Sequence, residues 1–211
     1  MHSVYIMVKK NESSAASVHR VFVYGTLKRG FYNHDKVFVR EFGGIDLVGH
    51  ANAQVKLVDA QACTADDCFK LVVGGKYFAP FMFVSESESG GCRVQGELYE
   101  VSDEVLLRLD ELEGIAYGYY ARKRIRVISS AAPDSVIEAS VYLKVNPAEE
   151  LKKLPSLPSY TMAIHEETYI CPEKRKEIDE LTGFRPDSHE QGKNTMLYQN
   201  WAHKLSSSSS R

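Results

Sequence analysis

Apolar and polar positions change period several times along the chain, and each change predicts an element. Val21-Phe22-Val23-Tyr24 is a run of β-branched and aromatic residues, the pattern of a buried strand. It breaks at Gly25, where a glycine admits left-handed backbone and lets another group approach the N–H groups closely. From Asn33 to Phe42, apolar residues at 37, 38 and 42 predict a short helix. Asp46 to Val58 alternates as a strand does, and the small, acidic stretch from Asp59 to Asp67 is expected to be an exposed excursion. Phe69–Val73 and Tyr77–Val84 flank Gly74-Gly75-Lys76, a hairpin signal, with Pro80 placing its strand at an edge or bulge. Ser85 to Gly91 reads as a polar loop.

The second half is patterned more sharply. In Val94–Val101, Val94, Gly96, Leu98 and Glu100 share one face of a strand, and Gln95, Glu97, Tyr99 and Val101 the other. Gly96 predicts a backbone bend or a close neighbour. Glu97 is read as a hydrogen-bonding network member or a solvent-facing residue rather than a catalytic acid. Ser102 or Asp103 can cap a helix carrying Val105, Leu106, Leu109 and Leu112, with Gly114 as its stop. Glu113 lies seven residues after Leu106 and four after Leu109, in phase with the apolar stripe, whereas Asp110 and Glu111 lean away. Strands follow at Lys123–Ile128 and Val136–Val145, joined by a turn at Pro133-Asp134. Pro155 to Pro158 punctuates a connection, and Pro172–Leu181 is a charged helix closed by Gly183. Arg185 to Asn194 is polar, Tyr198 and Trp201 are candidate docking residues, and Ser206–Ser210 is a disordered serine run.

Composition narrows the class. With 211 residues, 44% hydrophobic and a formal net charge of -2, the chain suits one domain with extensions and offers no electrostatic case for nucleic acid. No apolar run reaches membrane-spanning length, so no membrane partner is expected and a cytoplasmic location is. Cys63, Cys68, Cys92 and Cys171 match no zinc spacing and read as reduced thiols. Residues 1–17 lack a basic leader and a cleavage site and read as a loose arm.

Two features could carry chemistry. Gly25 and Gly30 have the spacing of a phosphate loop, but Phe31 and Tyr32 stand where Lys and Ser/Thr are required, so a P-loop is rejected. Glu113 is the other. A carboxylate at the core-facing edge of a helix loses hydration, which raises its pKa toward that of a general base. Periodicity alone leaves a last-turn surface residue as the equal alternative. His34, without a carboxylate or second histidine at ligand spacing, reads as structural.

Phe22-Val23-Tyr24-Gly25-Thr26-Leu27-Lys28-Arg29-Gly30, followed by Asn33-His34, resembles the opening strand and loop of the γ-glutamylcyclotransferase-like proteins, most nearly their γ-glutamylamine cyclotransferase branch. Gly96-Glu97-Leu98-Tyr99 is similar to the family's Gly-Glu-hydrophobic-Tyr strand. Leu109-Asp110-Glu111-Leu112-Glu113 is similar to its Leu-Asp-x-hydrophobic-Glu motif, and Tyr120-Ala121-Arg122 to its Tyr-x-Arg. One extra residue before Tyr120, relative to that branch, leaves Tyr119 and Tyr120 as alternatives. Val141-Tyr142-Leu143 resembles the strand that closes the family's barrel.

The resemblance implies an α+β fold, a small, mostly antiparallel or mixed β-barrel with flanking helices. It divides the chain into an arm (1–19), the barrel domain (20–145), a C-terminal extension (146–205) and a tail (206–211). It implies cyclisation of a γ-glutamyl amine, such as γ-glutamyl-ε-lysine, to 5-oxoproline with release of the amine, using no cofactor or metal. Glu113 would be the acid/base, with Tyr24, Gly25, Thr26, Leu27, Tyr120 and Tyr142 around the substrate. Any protein partner of the extension is unspecified. A silent binding module of the same fold, or a cyclotransferase for γ-glutamyl-amino acids or glutathione, is the competing reading. The presence of both the loop and Glu113 favours an enzyme.

Overall fold

The computed structural model describes residues 17–43, 54–87 and 90–182. Strands β1 (Val18–Val23), β2 (Val55–Thr64), β5 (Gln95–Ser102), β6 (Tyr120–Ser129) and β7 (Ala132–Lys144) close a barrel in the order β1-β5-β2-β6-β7. Its pairings are antiparallel except the closure of β1 on β7, which is parallel at Val21 and Ser140. Strands β3 (Phe69–Gly74) and β4 (Ala79–Val84) form the expected hairpin as a separate two-stranded sheet, which puts Pro80 on an edge.

Side-chain alternation sorts the strands' apolar residues into two cores. Phe22, Leu98, Ile125, Val127, Val141 and Leu143 belong to the inner cluster, joined by Leu71 and Met82 of the hairpin. Val21, Val23, Tyr99 and Val101 turn outward and are covered by Val37, Phe38, Val105, Leu106 and Leu109. The other hairpin face, Val72 and Phe83, packs under Leu151 and Leu154 of the chain around α3 (Glu149–Lys153). Gly96 sits where a side chain would collide with the Val23 carbonyl and come within 2.6 Å of the Phe22 ring, the close neighbour its sequence position predicted.

The helices follow their local signals. A short α1 (Tyr32–His34) runs into a π-helical turn, Asp35–Glu41, where one helix was expected. Helix α2 (Asp103–Leu112) is capped by Ser102, whose hydroxyl accepts from the Val105 N–H at 3.3 Å, and it ends at left-handed Gly114. Helices α4 (Met162–Thr168) and α5 (Pro172–Thr182) complete the described chain.

Four local expectations are corrected. The stretch 59–67 is not an excursion, because β2 continues to Thr64 with Asp59, Ala62 and Thr64 buried. Irregular register between Leu57 and Ala62 breaks the two-residue period there, and this hid the strand. The β6–β7 turn lies at residues 130–131, so Pro133 and Asp134 are already in β7. Asp110 does not lean away. It accepts from the Tyr142 hydroxyl at 2.7 Å and pairs with Arg122 at 3.0 Å. Val18 and His19, at the end of the segment read as an arm, are strand residues paired with β5. The rest of that arm, the first part of the Asp46–Val58 strand, Gly183, the 185–194 segment, Tyr198, Trp201 and the serine run lie outside the described residues.

Candidate active site

At the exit of β1 the chain turns through Tyr24-Gly25-Thr26-Leu27. The Lys28 N–H donates to the Gly25 carbonyl at 3.1 Å, and the His34 N–H to the Thr26 carbonyl at 3.1 Å. Asn33 Nδ2 donates to Thr26 Oγ1 at 2.7 Å, bracing the loop against α1. Gly25 is not left-handed, contrary to one reason for expecting it. A Cβ there would stand 2.9 Å from Pro80 Cγ, so β4 is what requires a glycine. Among the described residues, the N–H groups of Gly25, Thr26 and Leu27 have no hydrogen-bond acceptor. Such a series of open amides suits an anion or a developing oxyanion.

This loop forms one wall of a cavity of about 260 Å³. Leu112 and Glu113 from the end of α2, Tyr120 from β6 and Tyr142 from β7 also line it, with Asn33, Lys36 and Pro80. Every residue proposed from sequence therefore borders the same space. Tyr119 does not, being 60% exposed, whereas the Tyr120 ring stacks on Phe81 at 6.4 Å. His34 is buried outside the cavity, edge-on to Phe38.

Glu113 occupies the C-cap of α2, its N–H bonded to the Leu109 carbonyl at 3.0 Å. Its carboxylate has no hydrogen-bond donor and no ion-pair partner among the described residues. Burial pushes its pKa up to about 7. Burial, Tyr24 and Glu113 raise the Tyr120 phenol well above its ordinary value, and burial with Glu113 does the same to Tyr24. These phenols stay neutral while Glu113 titrates, so they act as dipoles rather than charges. The Tyr24 hydroxyl donates to the Tyr142 carbonyl at 2.9 Å, and the Tyr142 hydroxyl to Asp110. Both rings are thereby fixed at the cavity wall.

Glu97 is a network residue. It is buried, accepts from Tyr99 at 2.6 Å and from the Arg29 N–H at 2.9 Å, and so braces the far end of the loop. Sequence reasoning missed Tyr169, Pro172 and Arg175, which supply another part of the cavity lining. They lie beyond the motifs, and only the proline at the start of α5 gave any local signal. All four cysteines are free thiols. Among the described residues, no His/Cys/Asp/Glu cluster could hold a metal and no helix is long and apolar enough to cross a membrane.

Residues 21–162 match the family described as gamma-glutamyl cyclotransferase, AIG2-like. The chain belongs to that family. It is 37% identical over 148 residues to a putative gamma-glutamylcyclotransferase of Arabidopsis thaliana, covering 64% of this chain and 72% of the relative. It is 30% identical over 165 residues to gamma-glutamylaminecyclotransferase C of Danio rerio, covering 76% and 99%. The fold is similar to the crystal structure of an AIG2-like protein from Mus musculus, with a TM-score of 0.58 and 29% identity over 74% of this chain and 97% of that one. These relationships support a γ-glutamyl cyclotransferase type of activity.

Proposed function

We propose that the protein cyclises γ-glutamyl amines to 5-oxoproline and releases the free amine. The observation that carries this reading is Glu113, a desolvated carboxyl without a polar partner among the described residues, in the same cavity as the open amides of residues 25–27. A carboxyl with a pKa of about 7 is divided between its acid and base forms near neutrality, which suits a group that must both take and return a proton.

In this reaction the substrate supplies its own nucleophile. Glu113 accepts a proton from the α-ammonium group, and the freed amine attacks the γ-carbonyl carbon. A C–N bond forms and closes the five-membered ring while the carbonyl oxygen gains charge. Glu113 then delivers the proton to the departing nitrogen as the original amide C–N bond breaks, and the surplus proton of the ring nitrogen passes by the same carboxylate to the released amine, which leaves as an ammonium ion beside the neutral lactam. The enzyme's tasks are proton transfer, enforcement of a folded substrate and stabilisation of the oxyanion. The amides of Gly25, Thr26 and Leu27 take the α-carboxylate or the oxyanion, and Tyr24, Tyr120 and Tyr142 shape the space around the glutamyl chain.

The test is a panel of γ-glutamyl amines, γ-glutamyl-amino acids and glutathione incubated with purified protein in EDTA and assayed for 5-oxoproline. Turnover of at least one γ-glutamyl amine is expected. Binding of an intact γ-glutamyl compound without turnover of any panel member would replace this reading with a silent binding module.

A further inference from the structure

The lining supplied by the C-terminal segment carries charge that the cyclisation chemistry leaves unused. Arg175 is anchored from several sides. Its Nε donates to the Ile170 carbonyl at 3.1 Å, and Nη2 to the Tyr169 hydroxyl at 3.3 Å. Its guanidinium lies 4.5 Å from the Tyr77 ring centroid. The Tyr77 hydroxyl in turn donates to Asp179 at 2.9 Å, and Lys76 pairs with Asp179 at 2.5 Å, so α5 is fixed to the β3–β4 turn. Nη1 has no partner among the described residues. A planar fork held by stacking and two hydrogen bonds, with one amino group to spare at a cavity wall, is preorganised to bind an oxyanion. Lys36, on the π-helical turn, is a second cation bordering the cavity. Its charge is felt by Glu41 and by the exposed Glu173, neither of which lines the cavity.

A γ-glutamyl half offers one α-carboxylate, one ammonium and one carbonyl. Glu113 takes the ammonium proton and the loop amides the α-carboxylate or the developing oxyanion, and neither role calls on the two cations. We infer that Arg175, assisted by Lys36, selects substrates whose leaving amine carries a carboxylate, so that γ-glutamyl amino acids or isopeptides are preferred to γ-glutamyl derivatives of simple alkylamines. The inference rests on the cyclotransferase reading and names the substrate class of that same cavity. Arg175 lies outside the residues 21–162 that match the family, so the family match does not itself assign it this role. The cavity volume of about 260 Å³ is at the small end for ligand pockets and suits a dipeptide-sized molecule rather than a longer peptide.

The test uses two substrate pairs that differ by one carboxylate: γ-glutamyl-ε-lysine against γ-glutamylcadaverine, and γ-glutamylalanine against γ-glutamylethylamide. The readout is the ratio of kcat/KM within a pair, in which the active fraction of enzyme cancels. In the wild type the acidic member should be favoured by about tenfold or more, the scale of one charge-assisted hydrogen bond. Arg175→Gln should bring the ratio toward one, Arg175→Lys should retain part of it, and Lys36→Gln should lower it less. Lys36→Gln leaves the Arg175 anchoring contacts in place, so it keeps the test usable if Arg175→Gln loosens α5. A wild-type ratio near one overturns the inference and leaves the cyclotransferase reading standing. Equal loss on both members in Arg175→Gln also overturns it, because the guanidinium would then serve the carboxylate that all the substrates share. Absence of 5-oxoproline from every substrate removes the cyclotransferase reading and this inference with it.

Discussion

Two acidic residues, one on a barrel strand and one at a helix end, illustrate opposite uses of burial. Asp59, only 7% exposed, is surrounded by donors. The Gln61 N–H and the Ser130 hydroxyl donate to Oδ1 at 2.8 Å each, and the Ser129 hydroxyl and the Ser130 N–H to Oδ2 at 2.7 and 2.5 Å. Burial pushes its pKa up, but the hydrogen bonds outweigh that and hold the carboxyl below its ordinary value. Glu113 lines the cavity and yet is pushed up to about 7, because no donor among the described residues compensates its lost hydration. Donors at hydrogen-bond distance, more than accessible area, separate a carboxylate that stitches two strands together from one free to exchange a proton.

The largest expected effect comes from removing the exchangeable proton. Glu113→Gln should lower 5-oxoproline formation by about 100- to 10,000-fold, the usual worth of a general acid–base group. A smaller loss would show that proton transfer lies elsewhere and would end the contrast. The pH profile sharpens it. The base form of Glu113 begins the reaction, so kcat/KM should rise about tenfold per pH unit on the acid side and level off above about 7.

Stability should move in the matching sense. The folded pKa of Glu113 lies above its ordinary 4.5, so its proton-linked stabilisation is complete below that value and is lost as pH rises to about 7. The loss, on the order of 1–3 kcal/mol, should be missing in Glu113→Gln, which denaturant melts at pH 5 and pH 8 would compare. Asp59 has the opposite linkage, with stabilisation present above its ordinary 3.8 and lost as pH falls through the depressed value.

Asp59→Asn should cost about 1–3 kcal/mol in the same melts at neutral pH. The two backbone N–H groups point at different oxygens, so either orientation of the amide sets its NH₂ against one of them. The smallest change is expected for Glu111→Gln. Its side chain is 74% exposed and meets Arg108 only at 3.7 Å, so stability should shift by less than about 0.5 kcal/mol and most of the activity should remain. A crippled Glu111→Gln enzyme would reverse the helical phase assigned to Glu113.

That phase was legible in the sequence because α2 is regular. Leu106, Leu109 and Glu113 keep the three-to-four-residue rhythm of one helix face, and Ser102 and Gly114 mark the ends. β5 was legible for the same reason: strict alternation sends Leu98 inward and Tyr99 outward. β2 was misread because its register shifts disturb the period and its buried acid resembles a loop residue until Ser129 and Ser130 are brought to it from 70 positions away. Arg175 and Tyr169 were invisible as cavity residues for a related reason. Arg175 reaches the site by docking on the Tyr77 ring, with the Ile170 N–H donating to the Tyr77 carbonyl at 3.1 Å beside Tyr169, tertiary contacts that no local pattern encodes.

The route of the chain near Tyr160 has a consequence for synthesis. This tyrosine is fully buried in the inner cluster, and its neighbours join the sheets directly, with the Leu157 N–H donating to the Leu71 carbonyl and the Gln95 N–H to the Pro158 carbonyl, each at 2.8 Å. A nascent chain of which only the barrel strands have left the ribosome still lacks a piece of its own interior. Helix α2 and the β6–β7 hairpin can form as they emerge, but the barrel cannot reach its final packing until about residue 160 has cleared the exit tunnel. A segment made after the barrel strands is thus a condition for finishing them, and a stall just before it would leave a collapsed intermediate with an apolar gap.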